Sequence, residues 1–271
     1  MSTAVPRLYG QLKVHKPDKP IRPVVASHTH PAFFLAKFLG SEFQKVTSFS
    51  LPHCIANSVQ LAESLHGMRF PPTSRIILTD ANSMFTHIPV LKTIDIIYEI
   101  LIKSGLSYNY VDEFEKLARI CIQHNICYFN GETYIFPDGL PMGGPLSSLL
   151  GDIFMDRLEQ WILKFGRHSS KALLWYRFVD DIFCIWTGTD SELALFTHDL
   201  HSFDEKLSFS VTDSSHAANY LDVSISLVQD DIDDNSLTPK FAIYRKPQYT
   251  GVNKFVRALV LQRSATPAER A

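Results

Sequence analysis

Apolar positions recur along the chain with two periods, and they predict an alternation of strands and helices. Leu8-Tyr9-Gly10-Gln11-Leu12-Lys13-Val14-His15-Lys16-Pro17 alternates and is punctuated by prolines. It predicts strand, turn and strand, with the turn near Lys16-Pro17-Asp18-Lys19-Pro20. Phe34, Leu35, Phe38, Leu39 and Phe43 keep helical spacing and predict a helix over 31–46; a second is predicted over 55–66. The run Arg75-Ile76-Ile77-Leu78-Thr79-Asp80 predicts a buried strand ending in a carboxylate. Helices follow at 90–104 and 110–124, then a hairpin at Asn130-Gly131, a dipeptide suited to positive φ. After the Gly/Pro cluster at 139–145, Leu146, Leu149, Leu150, Ile153, Phe154, Leu158, Trp161 and Ile162 predict a long helix with Pro145 in its first turn. Leu173 to Trp186 is apolar and aromatic except for Arg177, Asp180 and Asp181. It predicts two buried strands. A helix at 191–206, strands at 207–212, 220–228 and 241–245, and a solvated acidic turn at Asp230, Asp231, Asp233 and Asp234 complete the pattern. Strands and helices are interspersed, so the predicted class is mixed α+β.

Composition narrows the picture. The chain has 271 residues, enough for one large domain or two small ones, and 45% apolar with 20% charged residues excludes a mostly disordered chain. No apolar run approaches the roughly 18–20 residues of a membrane span. The start, Met1-Ser2-Thr3-Ala4-Val5-Pro6-Arg7, has no apolar signal core, and an intracellular location is expected. Cys54, Cys121, Cys127 and Cys184 form no CxxC pair. They read as buried thiols of a reducing compartment, not a disulfide frame or zinc site.

The formal charge of -2 hides an asymmetry. Residues 1–50 hold seven Lys/Arg against two acids, a net +5, and residues 240–271 hold seven against one, a net +6. The segment between carries 12 basic and 25 acidic residues, a net -13. Basic ends around an acidic middle fit a carboxylate-bearing core whose outer segments meet phosphates; chance clustering on solvated faces is the plain alternative.

Asp180-Asp181 carries the most chemistry. Two carboxylates at the tip of an otherwise apolar hairpin are costly unless a cation offsets both, although aspartate also serves as an ordinary turn residue. Asp80 ends a second apolar strand. Carboxylates delivered to one sheet edge make an oxygen-rich site of the kind Mg²⁺ accepts, and two ions held so serve in-line phosphoryl transfer. The histidines are scattered without ligand spacing, so nothing suggests a softer metal.

With those residues in place, the chain resembles the reverse transcriptase domain of Penelope-like retroelements, a group allied to telomerase reverse transcriptases. Leu8-Tyr9-Gly10, Lys13-Val14-His15-Lys16-Pro17 and Pro20-Ile21-Arg22-Pro23-Val24-Val25 resemble the fingers motifs. The stretch Asp80-Ala81-Asn82-Ser83-Met84-Phe85-Thr86-His87-Ile88-Pro89 resembles motif A, and Gly139-Leu140-Pro141-Met142-Gly143-Gly144-Pro145-Leu146-Ser147-Ser148 resembles motif B. Tyr176-Arg177-Phe178-Val179-Asp180-Asp181 resembles motif C. Tyr220-Leu221-Asp222-Val223 and Tyr244-Arg245-Lys246-Pro247-Gln248-Tyr249-Thr250 resemble the later palm and thumb-entry motifs. The similarity runs over about residues 8–255.

The resemblance implies a right-hand polymerase, with partial fingers at 1–74, the palm at 75–229, and the palm–thumb connection with the start of a thumb at 230–271. It implies an RNA-directed DNA polymerase that takes an RNA template, a DNA primer and deoxynucleotide triphosphates. Asp80, Asp180 and Asp181, with the Ala81 carbonyl, would hold two Mg²⁺ ions, for which Mn²⁺ can substitute. Phe85 resembles the ring that excludes a ribose 2′-hydroxyl, against a plain core role. Lys13 and Arg22 resemble triphosphate-gripping cations, Arg245 and Lys246 primer-phosphate contacts. Gly143 and Gly144 would let backbone approach the nucleotide or template. Lys206 resembles a late-palm proton donor in type only, against an ordinary surface lysine.

Departures qualify this. Gly143-Gly144-Pro145 stands where the family usually has Gly-Ser-Pro, and Phe136-Pro137-Asp138 where a glutamine often precedes the motif. The expected upstream fingers, complete thumb and GIY-YIG endonuclease pattern are missing, so the chain reads as truncated at both ends. A catalytically silent remnant or a nucleic-acid-binding module stays open beside the polymerase.

Overall fold

The computed structural model describes residues 4–12, 21–123, 126–135, 139–230 and 235–245. In chain order the elements are β1 (Arg7–Leu12), β2 (Ile21–Ala26), α1 (Phe33–Val46), α2 (Ser58–Leu65), β3 (Arg75–Ala81), α3 (Met84–His87), α4 (Val90–Lys103), α5 (Tyr108–Gln123), β4 (Ile126–Phe129), β5 (Glu132–Ile135), α6 (Ser147–Phe165), β6 (Ala172–Phe178), β7 (Asp181–Trp186), α7 (Asp190–Ser202), β8 (Phe209–Asp213), β9 (Ala217–Tyr220), β10 (Val223–Gln229) and β11 (Leu237–Ile243). The class is mixed α+β, as the apolar pattern predicts. Two compact units are each assembled from separated segments. The first takes the residues up to Pro52, Ser83–Trp161 and Phe203–Ser208; the second takes His53–Asn82, Ile162–Ser202 and the residues from Phe209 on.

In the first unit, α4 buries Val90, Ile94, Ile97 and Leu101, one stripe of a 3.6-residue period. Helix α1 buries Ala36, Leu39 and Phe43, and the Phe43 ring lies 6.4 Å from Phe114 of α5. The predicted stripe on α1 is too wide: Phe34 and Phe38 are 62% and 57% exposed. A four-stranded sheet runs β2-β1-β4-β5. Strands β1 and β2 are antiparallel, and the β4–β5 hairpin turns at Asn130 and Gly131, both at positive φ, as their residue types require. Pro145 is not in the first turn of α6; that helix begins at Ser147, and Pro145 belongs to the turn before it.

The second unit is built on an antiparallel sheet ordered β6-β7-β3-β8. One face presents Ile76, Phe183 and Ile185 to Leu61 and Leu65 of α2 and to Ala218, Val223, Ile225 and Leu227 of a smaller sheet ordered β11-β10-β9. The other face sets Trp175 and Trp186 against Phe196 of α7, with ring centroids 6.0 and 5.2 Å apart. Each such fully buried large side chain contributes about 1.5–3 kcal/mol. Asn57 caps α2 by accepting from the Gln60 backbone N–H at 3.0 Å, while Gln60 accepts in return from the Ala56 N–H at 2.6 Å.

Several sequence expectations need correction here. Helix α7 stops at Ser202 instead of reaching 206, and the strand predicted over 220–228 breaks at Leu221-Asp222. Asp230 is not in a solvated turn: it is 7% exposed and accepts from Arg69 Nε at 3.0 Å. Asp231, Asp233 and Asp234 lie outside the described residues. All four cysteines are free, but Cys54 is only half-buried. Burial pushes the Cys121 thiol up to about 11. Among the described residues no helix is long and apolar enough to cross a membrane.

Candidate active site

Side chains alternate across a strand, so Ile76, Leu78 and Asp80 share one face of β3 and Asp181, Phe183 and Ile185 share one face of β7. The register sets Asp80 directly opposite Asp181 and Leu78 opposite Phe183. Both carboxylates therefore continue the row that Ile76, Phe183 and Ile185 bury lower down. The Ala81 N–H donates to the Asp180 carbonyl at 3.0 Å. A bond between the residues flanking the pair makes Asp80–Asp181 a non-hydrogen-bonded pair, the kind whose side chains approach most closely. Across the other edge of β3, Ser210 is opposite Asp80 and its hydroxyl donates to Asn82 at 2.8 Å.

Asp180 sits in the two-residue connection between β6 and β7, where Phe178 is opposite Asp181. Val179, the first loop residue, has φ 57°, whereas Asp180 is not left-handed. Positive φ at the first loop position alone is the pattern of a type II′ turn, which suits the right-handed twist of the strands. It is an uncommon conformation for a β-branched residue.

Each carbonyl of this turn has its own donor. Arg177 Nη1 donates to the Val179 carbonyl at 3.1 Å, the Ala81 N–H to that of Asp180, and the Tyr220 hydroxyl to that of Asp181 at 2.8 Å. Arg177 is fully buried, and its own backbone pairs with residues 53–55: its N–H donates to His53 and its carbonyl accepts from Ile55. Burial, and then the Asp181 carboxylate, push the Tyr220 phenol well above its ordinary range, so it stays a donor. Asp80, Asp181, Ser210, Asn219, Tyr220 and Tyr244 line a cleft at this end of the sheet.

Asp80, Asp180 and Asp181 are all half-buried. Their donor atoms are oxygens only, the set a hard divalent cation takes, and like charges set directly opposite on neighbouring strands favour a cation between them. Among the described residues no group of three or more His, Cys, Asp or Glu side chains is placed to hold a metal ion. What the backbone supplies is Asp80 opposite Asp181, with Asp180 in the adjoining turn. Ala81 is buried, with its N–H committed to Asp180.

The other residues singled out in the sequence divide by unit. In the first, Phe85 is half-buried on α3; a Cβ added at Gly151 of α6 would lie 3.3 Å from its ring. Gly143 has φ +101° and a Cβ there would stand 2.5 Å from the Val25 carbonyl of β2. The same loop exchanges further bonds with the end of β2, Val25 N–H to the Met142 carbonyl at 2.9 Å and the Ser27 hydroxyl to that of Gly143. A Cβ at Gly144 would meet the Ser147 hydroxyl at 2.5 Å, so both glycines have a reason in local packing. Arg22 is exposed on β2 opposite Gln11, and Lys206 is exposed. In the second unit Arg245 is exposed just past β11. Lys13 and Lys246 lie outside the described residues, as does the basic tail from 246 on. The sequence reading missed the Tyr220 hydroxyl, Ser210 and the part Arg177 takes. Arg177 did carry a signal, as the one cation in an apolar run.

No protein-family model matches the chain, and no curated protein matches it by sequence. Its fold does match solved structures, among them nucleic-acid polymerases: the fold is of the palm-containing polymerase type. Apo telomerase of Candida tropicalis, truncated from its C-terminal domain, is similar at TM-score 0.56 and 12% identity, over 82% of this chain and 53% of that one. Telomerase of Candida albicans in complex with a TWJ fragment of telomeric RNA is similar at TM-score 0.58 and 12% identity, over 83% and 46%. The BmCPV RNA-dependent RNA polymerase at its elongation state is similar at TM-score 0.54 and 11% identity, over 91% and 23%. The chain thus spans about half the length of the telomerases and about a quarter of the viral enzyme.

Proposed function

We propose that this chain is the reverse transcriptase domain of a retroelement of the Penelope-like kind, extending a DNA primer along an RNA template. One observation carries the reading: Asp80 stands directly opposite Asp181, with Asp180 in the adjoining turn, inside a polymerase-type fold. In the reaction the primer 3′-oxygen bonds to the α-phosphorus of a deoxynucleotide and pyrophosphate leaves. Asp80, Asp180, Asp181 and the Ala81 carbonyl would hold two Mg²⁺ ions, or Mn²⁺ in their place. Bound there, the ions supply Lewis acidity to the attacking and leaving oxygens. The remaining work is positioning. Phe85 leaves no room for a 2′-hydroxyl, while Lys13 and Arg22 grip the triphosphate. Gly143 and Gly144 keep the approach to the nucleotide free of side chains, and Arg245 and Lys246 hold primer phosphates without reading sequence. Partial fingers would take 1–74, the palm 75–229, and the palm–thumb connection with the start of a thumb 230–271.

Primer extension on an RNA template, with and without Mg²⁺, tests the reading. Asp180→Asn should abolish Mg²⁺-dependent extension while leaving the unfolding midpoint near that of the parent. Extension that survives the substitution overturns the assigned role. Tight binding of primer–template with no extension in any divalent cation would point to a binding module instead.

A further inference from the structure

We propose that Arg177 and Tyr220 are positioning residues for the carboxylate turn, fixing its backbone against β3 so that the side chains of Asp180 and Asp181 need only close with Asp80 on a shared divalent cation. The inference rests on the metal site proposed above. Three successive carbonyls, of Val179, Asp180 and Asp181, are each held by a different element: the Arg177 guanidinium of β6, the backbone of β3, and the Tyr220 hydroxyl of β9.

A two-residue hairpin needs none of this to close, because its own ladder bonds suffice. What it lacks is resistance to pivoting at its tip, and this tip is strained at Val179. A carboxylate at the end of a pivoting turn loses affinity for a cation, since ordering it is then part of binding. Burying a guanidinium and a phenol is expensive unless their hydrogen bonds are made, and here Arg177 Nη1 and the Tyr220 hydroxyl both spend a bond on the turn. Asp80 and Asp181 are each held by ladders on both sides, Asp80 to β7 and β8 and Asp181 to β6 and β3. Asp180 alone lies outside the ladders, and the two clamps hold the carbonyls on either side of it, those of Val179 and Asp181. Partners that hydrogen-bond a metal's ligating groups change affinity by about 10–100-fold when removed; these two act one step further out, on the backbone of the turn, and the low end, about tenfold, is expected.

The test is binding of Mn²⁺ alone to the full chain, followed by the electron paramagnetic resonance of the free ion. Tyr220→Phe deletes one oxygen and keeps the packing. Arg177→Met keeps the length and removes the donors, and Arg177→Lys asks whether one donor rescues. Asn57→Ala, which uncaps α2, is the control for lost stability without touching the turn. The expected result is binding by the parent, loss in Asp180→Asn, about tenfold weaker binding in Tyr220→Phe and Arg177→Met, partial rescue by Arg177→Lys, and parental binding in Asn57→Ala. If Arg177→Met does not fold, Tyr220→Phe decides alone. Parental affinity in Tyr220→Phe, with Asp180→Asn still defective, overturns the clamp and leaves the proposed function standing. A parent that binds no Mn²⁺, or an unaffected Asp180→Asn, overturns the metal site and the clamp with it.

Discussion

Asp80→Asn should stabilise the metal-free protein. Asp80 and Asp181 form a non-hydrogen-bonded cross-strand pair, with Cβ atoms about 4.5–5.5 Å apart in such geometry. With the carboxylates free to turn apart, their charges stand about 5–8 Å from each other and repel by about 2–3 kcal/mol at an effective dielectric of 20, and by about 0.5–1 kcal/mol in bulk water. Both residues are half-buried, so the repulsion relieved by removing one charge falls between these limits, about 1–2 kcal/mol. Asparagine matches aspartate in size, so packing is preserved. With a urea slope of about 3 kcal/mol/M, the midpoint should rise by about 0.3–0.7 M in the presence of a chelator. Saturating Mg²⁺ should reverse the order, because ligand binding stabilises only the form that binds it. The assay is urea unfolding of both proteins, each with chelator and with Mg²⁺. A variant less stable than the parent in chelator, or a difference that Mg²⁺ leaves unchanged, would refute the reasoning.

Gly143→Ala should destabilise by at least about 2 kcal/mol, since it adds positive-φ strain to a Cβ pressed on the Val25 carbonyl; Gly67→Ala, at φ +78° with nothing within 4 Å, should lose only about 1 kcal/mol, and equal losses in urea unfolding would contradict the packing argument. Phe85→Val should raise ribonucleotide relative to deoxynucleotide incorporation, and an unchanged ratio would return Phe85 to the core. Arg167 Nε and Nη2 bond both oxygens of Asp199 and, by those bonds first, hold its carboxyl down to about 2. A depressed folded value gives stability that is complete above about pH 5 and lost as pH falls towards about 2. The melting-temperature gap between parent and Arg167→Ala should therefore close over that window, and a gap independent of pH would count against it.

Much of the candidate site was legible because carboxylates inside apolar runs are conspicuous. Asp80 and Asp180-Asp181 stood out by that contrast alone, and the strands bearing them follow from short apolar runs. Their mutual register was not legible, because nothing local to residue 80 encodes a partner about a hundred residues later. The break between β9 and β10 was hidden for another reason. It falls at Leu221, a bulky residue at φ 53°, where no glycine or asparagine announces a turn. Helix α1 misled in the opposite sense: Phe34 and Phe38 satisfy helical spacing yet face outward, and periodicity cannot tell a core stripe from an exposed one. The hydroxyl of Tyr220 lay in a quoted motif, but only the fold brings it to the Asp181 carbonyl.

The central position of β3 has a consequence for how the protein is made. Both of its neighbours, β7 and β8, come from chain that follows residue 180. During translation at about 5–20 residues per second, Asp80 leaves the ribosome roughly 5–20 s before Asp181 does. Throughout that interval an Ile-Ile-Leu strand waits with both edges bare, which is the template on which nascent chains mispair. A ribosome that stalls, or a message that ends, before β7 is complete releases a strand with no legitimate partner. Synthesis of this chain should therefore depend on a holdase chaperone during those seconds, and shortened products ending before residue 180 should be cleared or aggregate.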